Sequence, residues 1–387
     1  MAGPLGALAL AALGVAQGWA QPLAAPAAPA VDPAGEVAGG VASEDAGIQK
    51  QAPKPRRSGW VFLPGVTYSP DRGLTFAGGA LRYFHSDDDP MSRASSMVLT
   101  VEASVSGRGM VSFDPDVWFA NERFHVGGTG WVSYLDYAYF GVGNDTTMAD
   151  REDYTAVRWS LRPEVVMRIR RHLYGGAVYE LRYENQTEVD AGGELDSETV
   201  RGADGGLVTG IGALVRWDSR DHAFTPRAGG LVSLSPRLYL DELGGDYDFT
   251  RLLVEGSWFF SLGGEHVLGV DGQVDLRGGE PPFTYLSGGG GSRLLRGMLE
   301  GRYRDMQFAA VQAEYRFPIW WRFGGAAFAG AGRVARKVTG LDLPGLRYSG
   351  GAGLRFAIQE DERITVRLDY GRSRDDSGFY LAMLEAF

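Results

Sequence analysis

The sequence predicts an all-β fold, a transmembrane antiparallel β-barrel of about 16 strands. Three observations predict it. The chain has 57 glycines, 12% aromatic residues and no cysteine, a composition typical of many short strands and turns. Apolar and polar residues alternate in segment after segment, as they do along half-buried strands. Beyond Arg57 no window of about 18 apolar residues occurs, so spanning helices are not expected.

The first 57 residues precede the predicted barrel. Residues 1–20 are uncharged and apolar and place Gly18 and Ala20 before a cleavage site, so we predict a secretory signal peptide. Residues 21–57 are rich in Ala, Pro, Gly and Val and predict a disordered periplasmic tail. The tail ends in a basic run of Lys54, Arg56 and Arg57, for which contact with anionic lipid head groups and a solvated spacer both stay open. The barrel is predicted for 58–387.

Alternation is clearest in residues 157–169. Apolar residues occupy most odd positions, and Arg158, Arg162, Glu164 and Arg168 occupy even ones. The same pattern recurs in 97–105, 268–276, 309–319 and 364–370. Large aromatic residues concentrate near strand ends, as the lipid-interface girdles of a barrel require; they are Trp118, Trp131, Trp159, Trp258, Phe317, Trp320 and Trp321. We therefore expect the apolar faces to point outward and the charged faces inward, since a closed barrel hydrogen-bonds every backbone group within lipid.

The strand count sets the orientation. The sixteen predicted strands lie near 59–68, 73–84, 95–106, 109–120, 124–139, 153–170, 175–188, 207–219, 229–240, 248–262, 265–277, 306–319, 324–337, 346–358, 362–372 and 378–387. An even number places both termini on one side, the periplasm. The connections 140–152, 188–206, 241–247, 278–305 and 338–345 then point outward and are mostly long, whereas the periplasmic turns are short, an asymmetry typical of outer-membrane barrels.

One loop carries a family motif. Residues 292–305 read S-R-L-L-R-G-M-L-E-G-R-Y-R-D and contain Leu295, Arg296, Gly297 and Met298. This tetrad resembles the sixth-loop motif of the Omp85 superfamily of outer-membrane barrels, with Met298 where the family has an aromatic residue. The segments 313–318 and 328–332 resemble the two strands that follow the loop in that family, and Asp218 to Gly229 resembles a recurrent periplasmic turn.

The resemblance implies a sixth extracellular loop that folds into the barrel. In the family the loop arginine pairs with acids on the inner wall, and an unpaired buried guanidinium would be costly. We therefore expect Arg296 to pair with Glu314, with Asp369 as the reserve partner. The family's usual aspartate in the second wall motif is replaced by Gly330. The alternative is an exposed loop arginine with no fixed partner.

The resemblance also implies a weak seam between the first and last strands, through which such barrels are thought to open laterally or thin the bilayer. Pro64 and Gly65 weaken the first strand, because proline removes a ladder donor. The last strand is expected to run to Phe387 at the same seam. A functional seam and a merely structural bulge both stay open. The final strand also resembles the signal by which the barrel assembly machinery recognises its substrates.

Members of the family that assemble or secrete proteins carry periplasmic POTRA domains, and 21–57 is too short to fold one. We therefore expect a barrel-only member that acts in protein or lipid insertion or translocation, or in outer-membrane homeostasis. Expected partners are outer-membrane lipid and lipopolysaccharide, the assembly machinery during its own insertion, and a separate periplasmic protein. A passive or selective pore is the alternative, since Arg158, Arg162, Arg168 and Arg182 are predicted to face the lumen.

Other classes of function receive little support from the sequence. A net charge of −10 argues against nucleic-acid binding, which normally requires a basic surface. The five histidines have no serine elbow or second histidine at metal spacing beside them, so neither a hydrolase nor a metal site is predicted. No cofactor is expected.

Overall fold

The computed structural model describes residues 58–69, 73–86, 94–197, 199–222, 224–359 and 363–387. The predicted signal peptide (1–20) and periplasmic tail (21–57), with its basic run, lie outside the described residues. Among the residues that are described, no helix has the length and apolar character needed to cross a membrane.

Sixteen strands form one antiparallel sheet in which sequence neighbours are paired, and the sheet curls into a nearly closed barrel. The predicted fold class is confirmed. The strands are β1 Gly59–Ser69, β2 Gly73–Phe84, β3 Ser95–Ser104, β4 Gly109–Phe119, β5 Phe124–Tyr139, β6 Glu152–Arg170, β7 Leu173–Val189, β8 Gly206–Asp218, β9 Gly229–Tyr239, β10 Phe249–Ser261, β11 Val267–Gly279, β14 Gln307–Trp320, β15 Phe323–Ala335, β16 Arg347–Gln359, β17 Ile364–Ser373 and β18 Ser377–Met383. Between β11 and β14 lies a separate short hairpin, formed by β12 Ser287–Gly288 and β13 Arg304–Asp305.

Short 3-10 segments occur in the connections, at Met148–Asp150, Asp241–Leu243, Phe283–Tyr285, Val338–Gly340 and Leu343–Gly345. All of them lie at the end of the barrel that holds the long connections 140–151, 190–205, 240–248, 280–306 and 336–346, which we name the loop end. The opposite end, where β1 starts and β18 finishes, is the terminal end. It has tight turns such as 120–123, 171–172 and 321–322.

Alternation along the strands determines which side chains face the lumen. In β6 the even positions from Tyr154 to Val166 are buried or half-buried, whereas Leu161 and Val165 on the other face are exposed. A strand turns successive side chains to opposite faces, so this pattern lines the lumen with charge and the outside with apolar groups. Strand length varies around the barrel, from 19 residues in β6 to 7 in β18.

A hydrophobic cluster closes the lumen at the terminal end, and we name it the floor. It takes inward side chains from β1 to β4, β6 to β8, β17 and β18, together with Phe224 from the connection 219–228. Its buried members are Val61, Leu81, Tyr83, Val98, Trp118, Val166, Tyr174, Leu214, Phe224, Ile364, Met383 and Leu384. Phe224 reaches the floor because its loop crosses the barrel end, where Thr225 Oγ1 donates a hydrogen bond to the Arg363 carbonyl at 2.7 Å.

Two of the predicted girdle residues are interior instead. Trp118 is 1% exposed within the floor, and Trp131 lines the lumen. The prediction was wrong for them because position along a strand does not decide the face, and both occupy inward positions of the alternation. Trp258, Trp320 and Trp321 are exposed on the outside near the terminal end, where an interfacial girdle is expected.

The last strand ends earlier than predicted. It stops at Met383, and Leu384 adopts a φ of +65°, which turns the remaining residues inward. The Phe387 ring lies 6.0 Å from the ring of Phe259 on β10, and its carbonyl accepts a hydrogen bond from Arg316 on β14 at 3.0 Å. Phe387 therefore does not extend the last strand. An inward acid, Glu385, binds Arg355 at 2.8 Å and holds the turn in place.

Candidate functional site in the barrel lumen

The connection between β11 and β14, residues 280–306, is loop six. The β12–β13 hairpin closes its base by pairing Ser287 with Asp305 and Gly288 with Arg304. Between these strands the motif residues Leu295, Arg296 and Met298 are buried. Their contacts are with the wall formed by β14 to β18.

Arg296 is fully buried and makes three contacts with the wall. Its guanidinium donates a hydrogen bond to Glu314 of β14 and another, at 2.6 Å, to Asp369 of β17. The guanidinium carbon also lies 3.5 Å from the ring centroid of Phe328 on β15, a cation–π contact. A planar guanidinium suits this arrangement, since it binds two carboxylates in its plane and an aromatic face above it.

The two acids belong to a larger buried network. Glu314 also accepts a hydrogen bond from Arg316 at 2.7 Å, and Asp369 accepts one from Arg367 at 2.5 Å. Arg355 of β16 contacts Glu314, Asp369 and Glu385 together. Each carboxylate thus meets several guanidinium groups, and each desolvated charge has a partner, which is the condition for a buried ion pair to be tolerated.

Glycines allow the motif backbone to touch the wall. Gly297 has a φ of +97°, and a Cβ on it would lie 2.1 Å from the Arg372 nitrogen. On the facing strand, a Cβ on Gly371 would lie 2.6 Å from the carbonyl carbon of Arg296. The Gly297 N–H donates to the Tyr380 hydroxyl of β18 at 2.9 Å. Only glycine fits on both sides of this contact, because any side chain would strike backbone.

Leu295 fills the space beside Gly330, where the family's aspartate is absent. A Cβ on Gly330 would lie 3.1 Å from Leu295 Cδ2, and one on Gly332 would lie 2.7 Å from Leu295 Cδ1. Leu295 itself has a φ of +58°, an uncommon conformation for a residue with a side chain. Met298 packs in the same apolar cluster, together with Leu294, Tyr303, Phe308 and Val334.

Further contacts fix the rest of the loop. Arg293 binds Glu255 at 2.7 Å and Asp271 at 3.1 Å, on β10 and β11. Arg302 donates to the Thr146 carbonyl at 2.7 Å and so ties loop six to the connection 140–151. The loop is therefore held from several sides rather than by its motif alone.

A cavity of about 1280 Å³ lies between loop six and the opposite wall of the lumen. Arg158, Arg182 and Arg304 line it, and Glu300 of loop six faces the same space. Glu300 is exposed to the cavity, yet the surrounding barrel partly desolvates its carboxyl and raises its pKa to about 7, against a weaker lowering effect of those three arginines. Burial also raises the pKa of Asp376, in the turn before β18. The loop therefore carries a carboxyl that titrates near neutral pH.

The proposed seam residues are apart from the motif. Pro64 and Gly65 lie in β1 opposite Gly78 and Ala77 of β2, and Pro64 is exposed on the outer face. Phe387 lies across the lumen from the place predicted for it, against β10 and β14.

Several site residues were not found from the sequence. They are Arg316, Arg355, Arg367, Gly371, Tyr380 and Glu385. All but Glu385 lie at inward positions of predicted strands, so the alternation that selected Glu314 and Asp369 also marks them. It could not show which of the inward positions lie level with the loop.

Outside the lumen, three exposed acids in 240–248 have carboxylate oxygens within 4.8 Å of one another: Asp241, Glu242 and Asp248. Exposed acidic groups commonly lie together without a metal, and these are far in sequence from the motif network. The chemistry of the lumen site is ionic pairing and packing, with a titratable carboxyl beside a cavity.

The comparisons with known proteins bear on this architecture. Residues 101–359 match the model of the Omp85 superfamily domain. No curated protein matches the sequence. Among solved structures, BamA from Haemophilus ducreyi lacking POTRA domains 1–3 is similar with a TM-score of 0.53 at 15% identity, over 84% of this chain and 69% of that one. CdiB from Acinetobacter baumannii has a TM-score of 0.47 at 12% identity, over 83% of this chain and 58% of that one. The family model covers well over half of the 387 residues, and the chain therefore belongs to the Omp85 superfamily.

Proposed function

We propose that this barrel assists the insertion or translocation of protein or lipid at the outer membrane, through a weak seam between β1 and β18 and a lumen plugged by loop six. The observation that carries the proposal is the pairing of the two edge strands of the sheet. Every other pair of neighbouring barrel strands shares a ladder, whereas none joins β1 to β18 among the described residues. Membership of the Omp85 superfamily supports the same general role.

The composition of the two edge strands supports a seam that can open. β18 has 7 residues and is the shortest barrel strand, so it offers few backbone groups for pairing. β1 contains Pro64, which cannot donate to a ladder. Trp60 and Phe62 are exposed on its outer face, beside lipid. An unpaired edge is a template for another strand, and here its outer face is apolar enough to remain in a bilayer.

A passive or selective pore is the second candidate, and the cavity with Arg158 and Arg182 is the observation that favours it. Arg168, predicted to face the lumen, instead binds the Asn121 carbonyl at the terminal end. The floor and loop six obstruct the lumen at opposite ends. These obstructions favour a plugged barrel over a porin.

Cross-linking tests the seam. The chain has no cysteine, so a pair placed in β1 and β18, Leu63→Cys with Met383→Cys, forms the only possible disulfide. Both residues contact the floor. Val61→Cys with Leu81→Cys is the matched control, since these residues are ladder partners of β1 and β2.

The readout is the outer-membrane integrity of cells that depend on each variant, measured as resistance to a large antibiotic with and without a reductant. We expect the seam disulfide to abolish complementation until it is reduced, and the control disulfide to leave it intact. Full complementation with the oxidised seam would overturn the proposal.

Planar-bilayer recording separates the two candidates. A plugged barrel should conduct little as purified, and deletion of 288–304 should increase its conductance. High conductance before the deletion, unchanged after it, would favour the pore.

We also propose that both termini lie in the periplasm, with a separate periplasmic protein as partner and lipid or lipopolysaccharide at the seam. A tag that follows residue 387 and contains a protease cleavage site should then be cut by added protease only after the outer membrane is permeabilised. We propose no catalytic activity.

A further inference from the structure

Three arginines meet in the cavity beside loop six, and we name them the arginine cluster: Arg158, Arg182 and Arg304. The strand register places the first two deep in the lumen. Arg158 lies on β6 six residues from the start of the strand at Glu152, about 20 Å along the wall from the loop end. Arg182 of β7 lies one inward position deeper, because its ladder partner on β6 is Ser160. A molecule that enters from the loop end therefore meets these two guanidinium groups deep in the cavity.

The arginine cluster has more positive charge than its acidic partner can balance. Arg158 and Arg182 both bind Glu184, at 2.5 Å and 3.3 Å, and each uses only its Nη2 atom for hydrogen bonds to described residues. Arg304 donates only to backbone carbonyls and forms no ion pair with a described carboxylate. Three positive charges against one negative charge leave a net charge of +2, and each guanidinium keeps N–H donors unused.

Glu300 of loop six faces the arginine cluster without balancing its charge. The charges of Arg158, Arg182 and Arg304 all act on its carboxyl, which forms no hydrogen bond or ion pair with any residue that the structure describes. Because the pKa of Glu300 is about 7, the carboxyl is mostly neutral at slightly acidic pH and can donate its O–H. The cavity thus presents three guanidinium groups and one hydroxyl donor to the same space.

The rest of the cavity lining has a different character. Nearer the loop end the arginines have acidic partners. Arg108 binds Asp136 at 2.8 Å. Arg151 binds Asp153 at 2.8 Å. Hydroxyl and aromatic side chains form much of the remaining lining, and they include Trp131, Ser133, Tyr137, Tyr154, Thr155 and Thr284. A neutral polyol fits such a lining, since its hydroxyls can donate and accept hydrogen bonds and its C–H faces can pack on aromatic rings.

We propose that the cavity binds a phosphorylated saccharide, with its phosphate between Arg158, Arg182 and Arg304 and its sugar against the hydroxyl and aromatic lining. A phosphate monoester carries a charge of about −2, which matches the net charge of the arginine cluster. Guanidinium groups bind phosphate oxygens through paired N–H donors, and the O–H of Glu300 adds another donor.

The size of the cavity agrees with a ligand larger than an inorganic ion. Its volume is about 1280 Å³. Cavities that hold drug-sized molecules measure about 300–1,000 Å³, so a sugar fits beside the phosphate. Binding at this place does not require the seam between β1 and β18 to open.

Isothermal titration calorimetry of the purified full-length barrel in detergent tests the ligand chemistry. The probes are glucose 6-phosphate, inorganic phosphate, glucuronate and glucose, at about pH 6.5, where a phosphate monoester is mostly doubly charged. We expect glucose 6-phosphate to bind about tenfold or more tightly than each of the others. Equal affinity for inorganic phosphate would refute the sugar site, and equal affinity for glucuronate would refute the preference for phosphate. No binding of glucose 6-phosphate would overturn the whole proposal.

Two substitutions test the arginine cluster in opposite directions. Glu184→Gln removes the shared acid, so we expect glucose 6-phosphate to bind about tenfold more tightly, a gain that a misfolded barrel cannot produce. Arg304→Gln removes a cation without breaking an ion pair, and we expect about tenfold weaker binding. Arg227→Gln is the control, because this arginine binds Glu265 at the terminal end, away from the cavity, and should leave the affinity unchanged. Heat-modifiable migration in SDS gels reports whether each variant is folded. Wild-type affinity in folded Glu184→Gln or folded Arg304→Gln would contradict the proposal.

Thiol labelling tests the location of the ligand, since the chain has no cysteine of its own. Thr284→Cys introduces a thiol in the cavity lining, and Thr199→Cys introduces one on an exposed part of the connection 190–205. We expect saturating glucose 6-phosphate to slow maleimide labelling at position 284 about tenfold and to leave position 199 unaffected. Labelling at position 284 that does not respond to a bound ligand would place that ligand elsewhere and refute the site.

Discussion

The two walls of the lumen differ in side-chain size. The wall that contacts loop six has glycine at Gly330, Gly332 and Gly371, and at each of them an added Cβ would meet loop atoms at 3.1 Å or less. The opposite wall has no glycine in β6, and Arg158 stacks 3.6 Å from the Tyr137 ring. The loop therefore lies where the wall provides space, and the cavity lies where large side chains keep it away. The glycines of the wall therefore help to position the loop, together with the charge pairs.

The largest effect is expected from the charges of the loop-side wall. Glu314→Gln leaves Arg296, Arg316 and Arg355 short of a buried negative charge, and breaking such a network costs about 3–5 kcal/mol. We expect a lower free energy of unfolding in urea and faster proteolysis of loop six. Glu188→Gln on the cavity wall is the control, because that side chain is mostly exposed. Wild-type urea resistance and loop protection in Glu314→Gln would show that the network does not hold the loop.

Leu295→Ala tests packing against the glycines. The change empties the space beside Gly330 and Gly332, and we expect a loss of about 2–3 kcal/mol, in the lower part of the range for buried leucines because a loop can partly collapse. Urea unfolding measures it. Gly330→Ala should be less harmful in the Leu295→Ala protein than in the wild type, since its Cβ would no longer meet Leu295. Simple additivity of the two changes would argue that they do not share one space.

Gly371→Ala tests the backbone contact. The added methyl group would strike the Arg296 carbonyl, and overpacking of this kind costs about 1–3 kcal/mol. Loop proteolysis should accelerate. Gly78→Ala in β2 provides the control, since no atom lies within 4 Å of its Cβ position. Equal sensitivity of the two variants would mean that the loop does not rest on β17.

The smallest effect concerns Glu300. Its pKa rises from an ordinary 4.5 to about 7, so the docked loop favours the neutral acid. The stabilisation of the docked loop by neutral Glu300 is complete below about pH 4.5 and is lost as the pH rises through about 7. Glu300→Gln should remove the pH dependence of loop proteolysis in that window and slow cleavage at pH 8 several-fold, the cavity's solvent limiting the effect. A variant that keeps the wild-type pH profile would assign the titration to another group.

Much of the fold could be predicted because the barrel follows a local rule. Alternation locates strands and faces without any knowledge of the rest of the chain, so the strands and the inward positions of Glu314 and Asp369 could be read from the sequence. Which inward residues lie level with one another depends on strand stagger around the whole barrel, a global property. That is why Arg355 and Arg367 were missed.

Other differences have local causes. Trp118 and Trp131 were placed in the girdle from their positions along the strand, whereas the alternation puts both side chains on the inward face. The last strand was predicted to reach Phe387 because Phe379, Leu381 and Met383 fall on the same face as Phe387, although Glu385 interrupts that series. The positive φ at Leu384 ends the strand instead. Leu295 could have been suspected from Gly330, since a wall residue reduced to hydrogen leaves room for a partner.

The floor has a consequence for the order of assembly. It combines Val61 of β1 with Met383 of β18, side chains from opposite ends of the described sequence. Contacts between residues so distant in sequence form slowly, because most of the chain must be ordered before they are gained. The floor therefore cannot be complete until the first and last strands are both in position. Its formation would mark the end of folding, and a barrel stalled before that step would leave the terminal end of its lumen open to water.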